Sequence, residues 1–307
     1  MNQSSNTIVM VRPANFGFNP ETAANNAFQV KDSEDKNIIR EKAIEEFDKA
    51  VSTLKKKSID VIVWQDTDTP VKTDAVFPNN WFSTHEDGTL LTYPMYSHNR
   101  RLERDQELID YLLRNYEVNR DYTMAHYEDE NLYLEGTGSL ILDRENKIVY
   151  ACGSERTSVA LFDKWCIIMN YKGVFFEAKD PKGVPIYHTN VMMTVCSDLA
   201  VICLASIQNP IEREKVLESL QLCSKKIIDI SFEQMNHFAG NMIEVLGNDN
   251  IKYLVMSKTA YDVLTTKQLD IINAHATPLP IEIPTIEKYG GGSARCMIAE
   301  IFLKKKF

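Results

Sequence analysis

Apolar residues recur along this chain in two rhythms. Short apolar-rich runs lie at residues 7–11, 60–64, 89–93, 139–143, 147–152, 166–170 and 174–177. They continue at 191–196, 200–205, 226–230, 242–246 and 252–256, and the last spans 296–303. Runs this short read as strands, buried on both faces where no alternation shows. Between them the spacing lengthens: Ile38, Ile39, Ile44, Phe47, Val51 and Leu54 fall mostly three or four apart, along one helix face. Leu102, Leu108, Ile109, Leu112 and Leu113 repeat that pattern, as do Val216, Leu217, Leu220 and Cys223 behind Pro210, a residue suited to a first helical turn.

Short turns at 143–146 and 197–198 imply antiparallel neighbours, whereas a helix between strands implies a parallel crossover. A repeated unit mixing both fits a radial α/β assembly better than a doubly wound sheet. No low-complexity linker interrupts the pattern, so residues 1–307 are expected to form a single domain.

Composition narrows the function. The chain is 44% apolar and 25% charged, enough for a full core. A net charge of −9 argues against nucleic acid as partner, because phosphate neutralisation needs a basic face. No stretch approaches the ~18 apolar residues of a membrane span, and the polar start lacks the features of a signal peptide, so a cytoplasmic protein with no membrane partner is expected. The six cysteines are scattered and form no C-x-x-C pair, which favours neither disulfides nor zinc. No metal or cofactor motif is visible; Gly290, Gly291, Gly292 and Ser293 lack the lysine of a phosphate loop.

The chemistry sits in four islands. Cys296 follows the glycine-rich Gly290–Gly292 and opens the last apolar run, placed as a nucleophile would be. Glu135 lies between an apolar stretch and Gly136-Thr137-Gly138, and His188 stands in Tyr187-His188-Thr189-Asn190. Covalent catalysis by cysteine needs a proton carrier and an orienting group, which His188 and Glu135 can supply. The fourth island, Phe77-Pro78-Asn79-Asn80-Trp81-Phe82-Ser83-Thr84-His85, combines an aromatic shelf with polar groups, a fit to a pocket wall. Asp74, just ahead of it, is a further pocket candidate.

Taken together, these islands resemble the guanidine-modifying enzymes: arginine deiminases, dimethylargininases and amidinotransferases. The resemblance runs from Met10-Val11-Arg12-Pro13 to Cys296. It implies a pentein fold, five ββαβ units around a central channel, with Cys296 as nucleophile, His188 as general acid/base and Glu135 as orienting carboxylate. It further implies that Phe77 and Asn80 wall the pocket and that Arg156, with Arg100 or Arg101, binds a substrate carboxylate. The implied partner is a small amino-acid substrate, with no cofactor, and a homodimer is in keeping with a metabolic enzyme.

Two departures from the deiminase pattern bear on the substrate. Where deiminases place aspartates that grip the guanidinium, His85 and Asn190 align here. A buried cation without counter-charges carries a desolvation cost of several kcal/mol. The uncharged ureido group of citrulline, planar and of the same shape, needs none, and Asn190 and a neutral His85 can match its mixed donors and acceptors. This points to a citrulline ureido hydrolase releasing ornithine, carbon dioxide and ammonia. The competing expectations are a dimethylarginine or arginine hydrolase using Asp66, Asp68 or Asp74 with Glu135 on the cation, an amidinotransferase, and a non-catalytic pentein.

Overall fold

The computed structural model describes residues 2–306. Its fifteen strands form five three-stranded sheets of one design. The strands are β1 (Thr7–Arg12), β2 (Asp60–Gln65), β3 (Phe82–Thr84), β4 (Thr89–Thr92), β5 (Arg120–Thr123), β6 (Ile141–Asp143), β7 (Ile148–Cys152) and β8 (Lys172–Phe176). They continue as β9 (Met193–Val195), β10 (Leu199–Ile202), β11 (Lys226–Asp229), β12 (Ile243–Leu246), β13 (Lys252–Ser257), β14 (Thr277–Ile281) and β15 (Ala299–Ile301). In each sheet a first strand pairs antiparallel with the middle one, which pairs parallel with a third: β3-β4-β5, β6-β7-β8, β9-β10-β11 and β12-β13-β14. The fifth sheet joins the two ends of the chain, since β15 lies antiparallel to β1, with Thr7 opposite Ile301, and β1 runs parallel to β2.

Each parallel pair requires a crossover, and a helix supplies it. The five are α1 (Lys36–Lys55), α2 (Gln106–Asn115), α3 (Val159–Met169), α4 (Pro210–Leu222) and α5 (Thr266–His275). Asp35, Asp105, Asn209 and Thr265 each accept backbone N–H bonds at a helix start, so these boundaries are written into the sequence. In α1 the buried residues Ile39, Ala43, Phe47, Ala50 and Leu54 keep the three- and four-residue spacing of a one-sided helix. This is the pentein architecture.

Burial falls from the inner strands outward. Inner β3, β6, β9 and β15 are wholly buried, while the third strands β2 and β5 are largely exposed. Polar bonds stitch the inner strands together: Thr84 Oγ1 on β3 donates to Glu300 O on β15 at 2.8 Å, and Thr194 Oγ1 on β9 donates to Gly240 O at 2.7 Å. No helix among the described residues is long and apolar enough to cross a membrane.

Two expectations change. Residues 166–170 are not a strand: Cys166 to Met169 end α3, and Asn170 closes it in the left-handed region at φ 55°. The final strand begins only at Ala299, so Cys296 sits in the turn that delivers it.

Candidate active site

Each inner strand is entered through a tight turn or a helix of three or four residues, and the five entries gather at one end of the fold. Pro78–Asn80 precedes β3, Gly136–Ser139 precedes β6 and Thr189–Met192 precedes β9. Turns closing at Asn241 and Met297 precede β12 and β15. The fivefold plan thereby brings Asn80, Glu135, His188, Asn190, Asn241 and Cys296 together from five distant stretches of sequence. The packing is close enough to dictate residue type. Gly136 has φ +47°, and a Cβ there would lie 2.3 Å from Asn79 O.

His188 and Glu135 form a buried pair, Nε2 to Oε2 at 2.8 Å. The other oxygen, Oε1, accepts from the backbone N–H of Tyr96 at 2.9 Å. Arg156 Nη1 and Arg100 Nη1 stand 3.7 and 3.8 Å from Oε2. Burial opposes ionisation of Glu135, yet the Arg156 charge, the His188 bond and the Arg100 charge outweigh it and hold the carboxyl at about 2. Burial also dominates His188, and with the two arginines it outweighs the pull of Glu135, bringing the imidazole to about 4. At neutral pH His188 is therefore uncharged. It donates Nε2–H to Glu135 and leaves Nδ1 as a bare acceptor.

Cys296 is buried, and Asn190 Nδ2 lies 3.2 Å from its Sγ. Phe77 packs on the glycine turn, so that a Cβ on Gly292 would lie 3.0 Å from its ring. The same pocket is lined by His188, Asn80, Asp74 and Cys296. Asn80 Oδ1 accepts from Arg100 Nη1 at 2.9 Å, while its Nδ2 is buried without a partner among the described residues. Asp74 accepts from Asn19 Nδ2 at 2.7 Å through Oδ2, and its Oδ1 is likewise unpartnered. Burial raises Asp74 above the ordinary aspartate value against the attraction of Arg100.

One of the sequence expectations is revised. His85 lies outside the pocket, where it meets Ser83 Oγ at 2.9 Å and Arg144 Nη1 at 3.4 Å. Strand β3, Phe82–Thr84, stands between it and Asn80 and carries it about 10 Å farther along the inner strand. Arg100 lines the pocket, but Nε and Nη2 are paired with Glu103, both at 2.9 Å, so this edge of its fork is closed to a substrate carboxylate. Arg156 also lines the pocket, with Nε on Asn25 Oδ1 at 3.0 Å and Nη2 on Thr22 O at 3.1 Å. Arg101 turns away to Met95 O and Glu128. Of the acidic candidates only Asp74 reaches the pocket, since Asp66 pairs with Lys72 at 2.7 Å.

Residues 19–30 cover the site, a role the sequence did not disclose. Asn26 Nδ2 donates to Gly291 O at 3.2 Å, Gln29 Nε2 to Gly290 O at 3.0 Å, and Val30 N to Lys288 O at 2.8 Å. The density of Asn and Gln in that stretch is the one available signal.

The family model for eukaryotic N,N dimethylarginine dimethylhydrolase matches residues 12–303. The chain belongs to this family. It is a hydrolase of carbon–nitrogen bonds within the guanidine-modifying superfamily, as the Cys296, His188 and Glu135 constellation leads one to expect. No curated protein matches the chain. Among solved structures it resembles ArgZ, an arginine dihydrolase of cyanobacteria, in its apo form. The TM-score is 0.71 at 16% identity over 95% of this chain and 40% of that one. Against the substrate-bound N-terminal domain of ArgZ alone the TM-score is 0.70 at 15% identity, covering 96% and 98%. A dimethylarginine dimethylaminohydrolase adduct gives 0.66 at 14% identity, covering 96% and 99%. The chain thus spans two fifths of full-length ArgZ and nearly all of its N-terminal domain.

Proposed function

We propose that this family member hydrolyses the ureido group of citrulline, giving ornithine, carbon dioxide and ammonia. The supporting observation is the fixed orientation of Asn80. Arg100 donates to its oxygen, so the amide offers N–H to the pocket. A guanidinium carries donors only and would meet that N–H with another, whereas a ureido carbonyl accepts it. Asp74 points the same way, because its burial disfavours the charge that a cation would need beside it.

In this reading the Cys296 proton passes to His188 Nδ1, and sulfur bonds to the ureido carbon as the Asn80 amide supports the oxygen. The carbon–nitrogen bond to the ornithine side chain breaks, and the amine leaves with the proton from His188. Glu135 keeps the imidazole oriented through Nε2. Water activated by His188 then displaces sulfur from the carbamoyl thioester, and the carbamate decays to carbon dioxide and ammonia.

A second reading, hydrolysis of arginine or a methylated arginine, is favoured by the unpartnered Asp74 Oδ1 and by the family description. Product analysis with citrulline, arginine and dimethylarginine, beside a Cys296→Ala control, separates the two. Ornithine and ammonia from citrulline alone support the ureido reading. Citrulline formed from either guanidine overturns it.

A further inference from the structure

One side chain touches the reacting sulfur and has so far been given no role. Asn241 is fully buried in the turn before β12. Its Nδ2 donates to Asn190 O at 2.9 Å and lies 3.3 Å from Cys296 Sγ. Its Oδ1 accepts from the backbone N–H of Arg295 at 3.0 Å. These two backbone partners fix which way the amide faces. With oxygen and nitrogen exchanged, the oxygen would meet the Asn190 carbonyl and the NH2 would meet the Arg295 N–H. Sγ also stands 3.7 Å from Oδ1, within reach of an S–H donor, while Asn190 Nδ2 approaches the sulfur from the neighbouring unit at 3.2 Å.

A nucleophilic cysteine is commonly supported by an adjacent imidazolium. Here the imidazole is uncharged and committed to Glu135 through Nε2, so the sulfur needs other donors. We propose that Asn241 is a catalytic residue that, together with Asn190, holds the sulfur of Cys296 between two amide donors and stabilises its anion. The inference rests on Cys296 as the nucleophile and not on which substrate it attacks. The same contacts serve twice. They support the anion while the S–C bond forms and the thiol proton moves to His188. They support it again when water bonds to the carbonyl carbon and sulfur takes the electron pair of the breaking C–S bond. Hydrogen bonds to a charged atom are the stronger kind, and burial strengthens them further.

The test is the rate at which iodoacetamide alkylates Cys296 at pH 7.5 without substrate, read on the Cys296 peptide by mass. The full chain is compared with Asn241→Asp and Asn241→Ala. The aspartate keeps size and the acceptor for Arg295 N–H but loses both amide donors; alanine loses the donors without adding charge. Alkylation slowed on the order of tenfold or more in both is expected, with kcat falling at least as far and KM within about threefold. Natural-rate alkylation in either folded variant, judged by circular dichroism, overturns the proposal. If Asn241→Asp does not fold, Asn241→Ala decides alone, and Asn241→Ser, which restores a short donor, is expected to exceed it in rate. Should citrulline prove not to be the substrate, the alkylation rates still stand, so the two ideas fail separately.

Discussion

Asn80 Oδ1 accepts a hydrogen bond from Arg100 Nη1 at 2.9 Å, and this bond settles what the rest of Asn80 presents. Arg100 is itself fixed by its bidentate pairing with Glu103. The orientation is thus relayed: a carboxylate orients a guanidinium, which orients an amide, which offers a donor. An asparagine on its own could face either way; this one cannot, because its oxygen would forfeit a charge-assisted bond in a buried place.

Replacing Asn80 by aspartate tests that chain directly. Arg100 would still hold one oxygen, and the pocket would gain an acceptor in place of a donor. The ratio of kcat/KM for citrulline over arginine is expected to fall by at least about a hundredfold, since a site built to bond a group discriminates strongly once that pairing is lost. A ratio within threefold of the natural one would separate Asn80 from substrate choice.

Gly138→Ala probes the tightness of the site. The added Cβ would lie 2.4 Å from Asn80 Nδ2 and 2.7 Å from His188 Nδ1, so both must move. Displacing a donor and a proton carrier by a few tenths of an ångström is expected to lower kcat roughly a hundredfold. The helical content should stay unchanged by circular dichroism. Near-natural kcat would show that neither group has to sit where it does.

Much of this was legible in the sequence. The middle strands, the inner strands other than β3, three of the five crossover helices and the grouping of Cys296, His188 and Glu135 could be read from runs, spacings and turn residues. What escaped has physical causes. Helix α3 is apolar nearly all round, so its tail reads as a strand; the left-handed Asn170 was the available stop signal. Strand β5, Arg120–Thr123, is polar and exposed at a sheet edge, and leaves no hydrophobic trace. His85 was misplaced because it aligns with the aspartate that closes the deiminase motif, whereas strand β3 carries it away from Asn80. The covering stretch at residues 19–30 is held by side-chain amides to backbone carbonyls, contacts without any periodicity.

Arg100→Met should cost stability as well as activity. Methionine fills much of the volume but leaves Glu103 without its bidentate partner and removes a positive charge near Asp74 and Glu135. Breaking a buried ion pair from one side costs about 3–5 kcal/mol. Urea unfolding is expected to show a loss of that order. The double variant Arg100→Met with Glu103→Leu should recover part of it, because the stranded charge is gone. No recovery would mean that Glu103 was not the source of the cost.

The acid side of the pH profile follows from the His188–Glu135 pair. His188 is held at about 4 against an ordinary value of 6.5. Between those values the unfolded chain binds a proton that the folded chain does not, so this contribution is present above about 6.5 and lost as the pH falls toward 4. Glu135, at about 2 against 4.5, adds a loss of the same sign at still lower pH. His85, also buried and lowered well below 6.5, contributes to the first window, so urea midpoints alone would not isolate His188. Activity does isolate it, because His85 lies outside the pocket. With Nδ1 needed bare, kcat/KM should stay level from pH 7 down to about 5 and decline only toward 4, measured where circular dichroism shows the protein folded. A decline centred near 6.5 would mean that His188 titrates as a solvent-exposed imidazole does and that burial does not govern it.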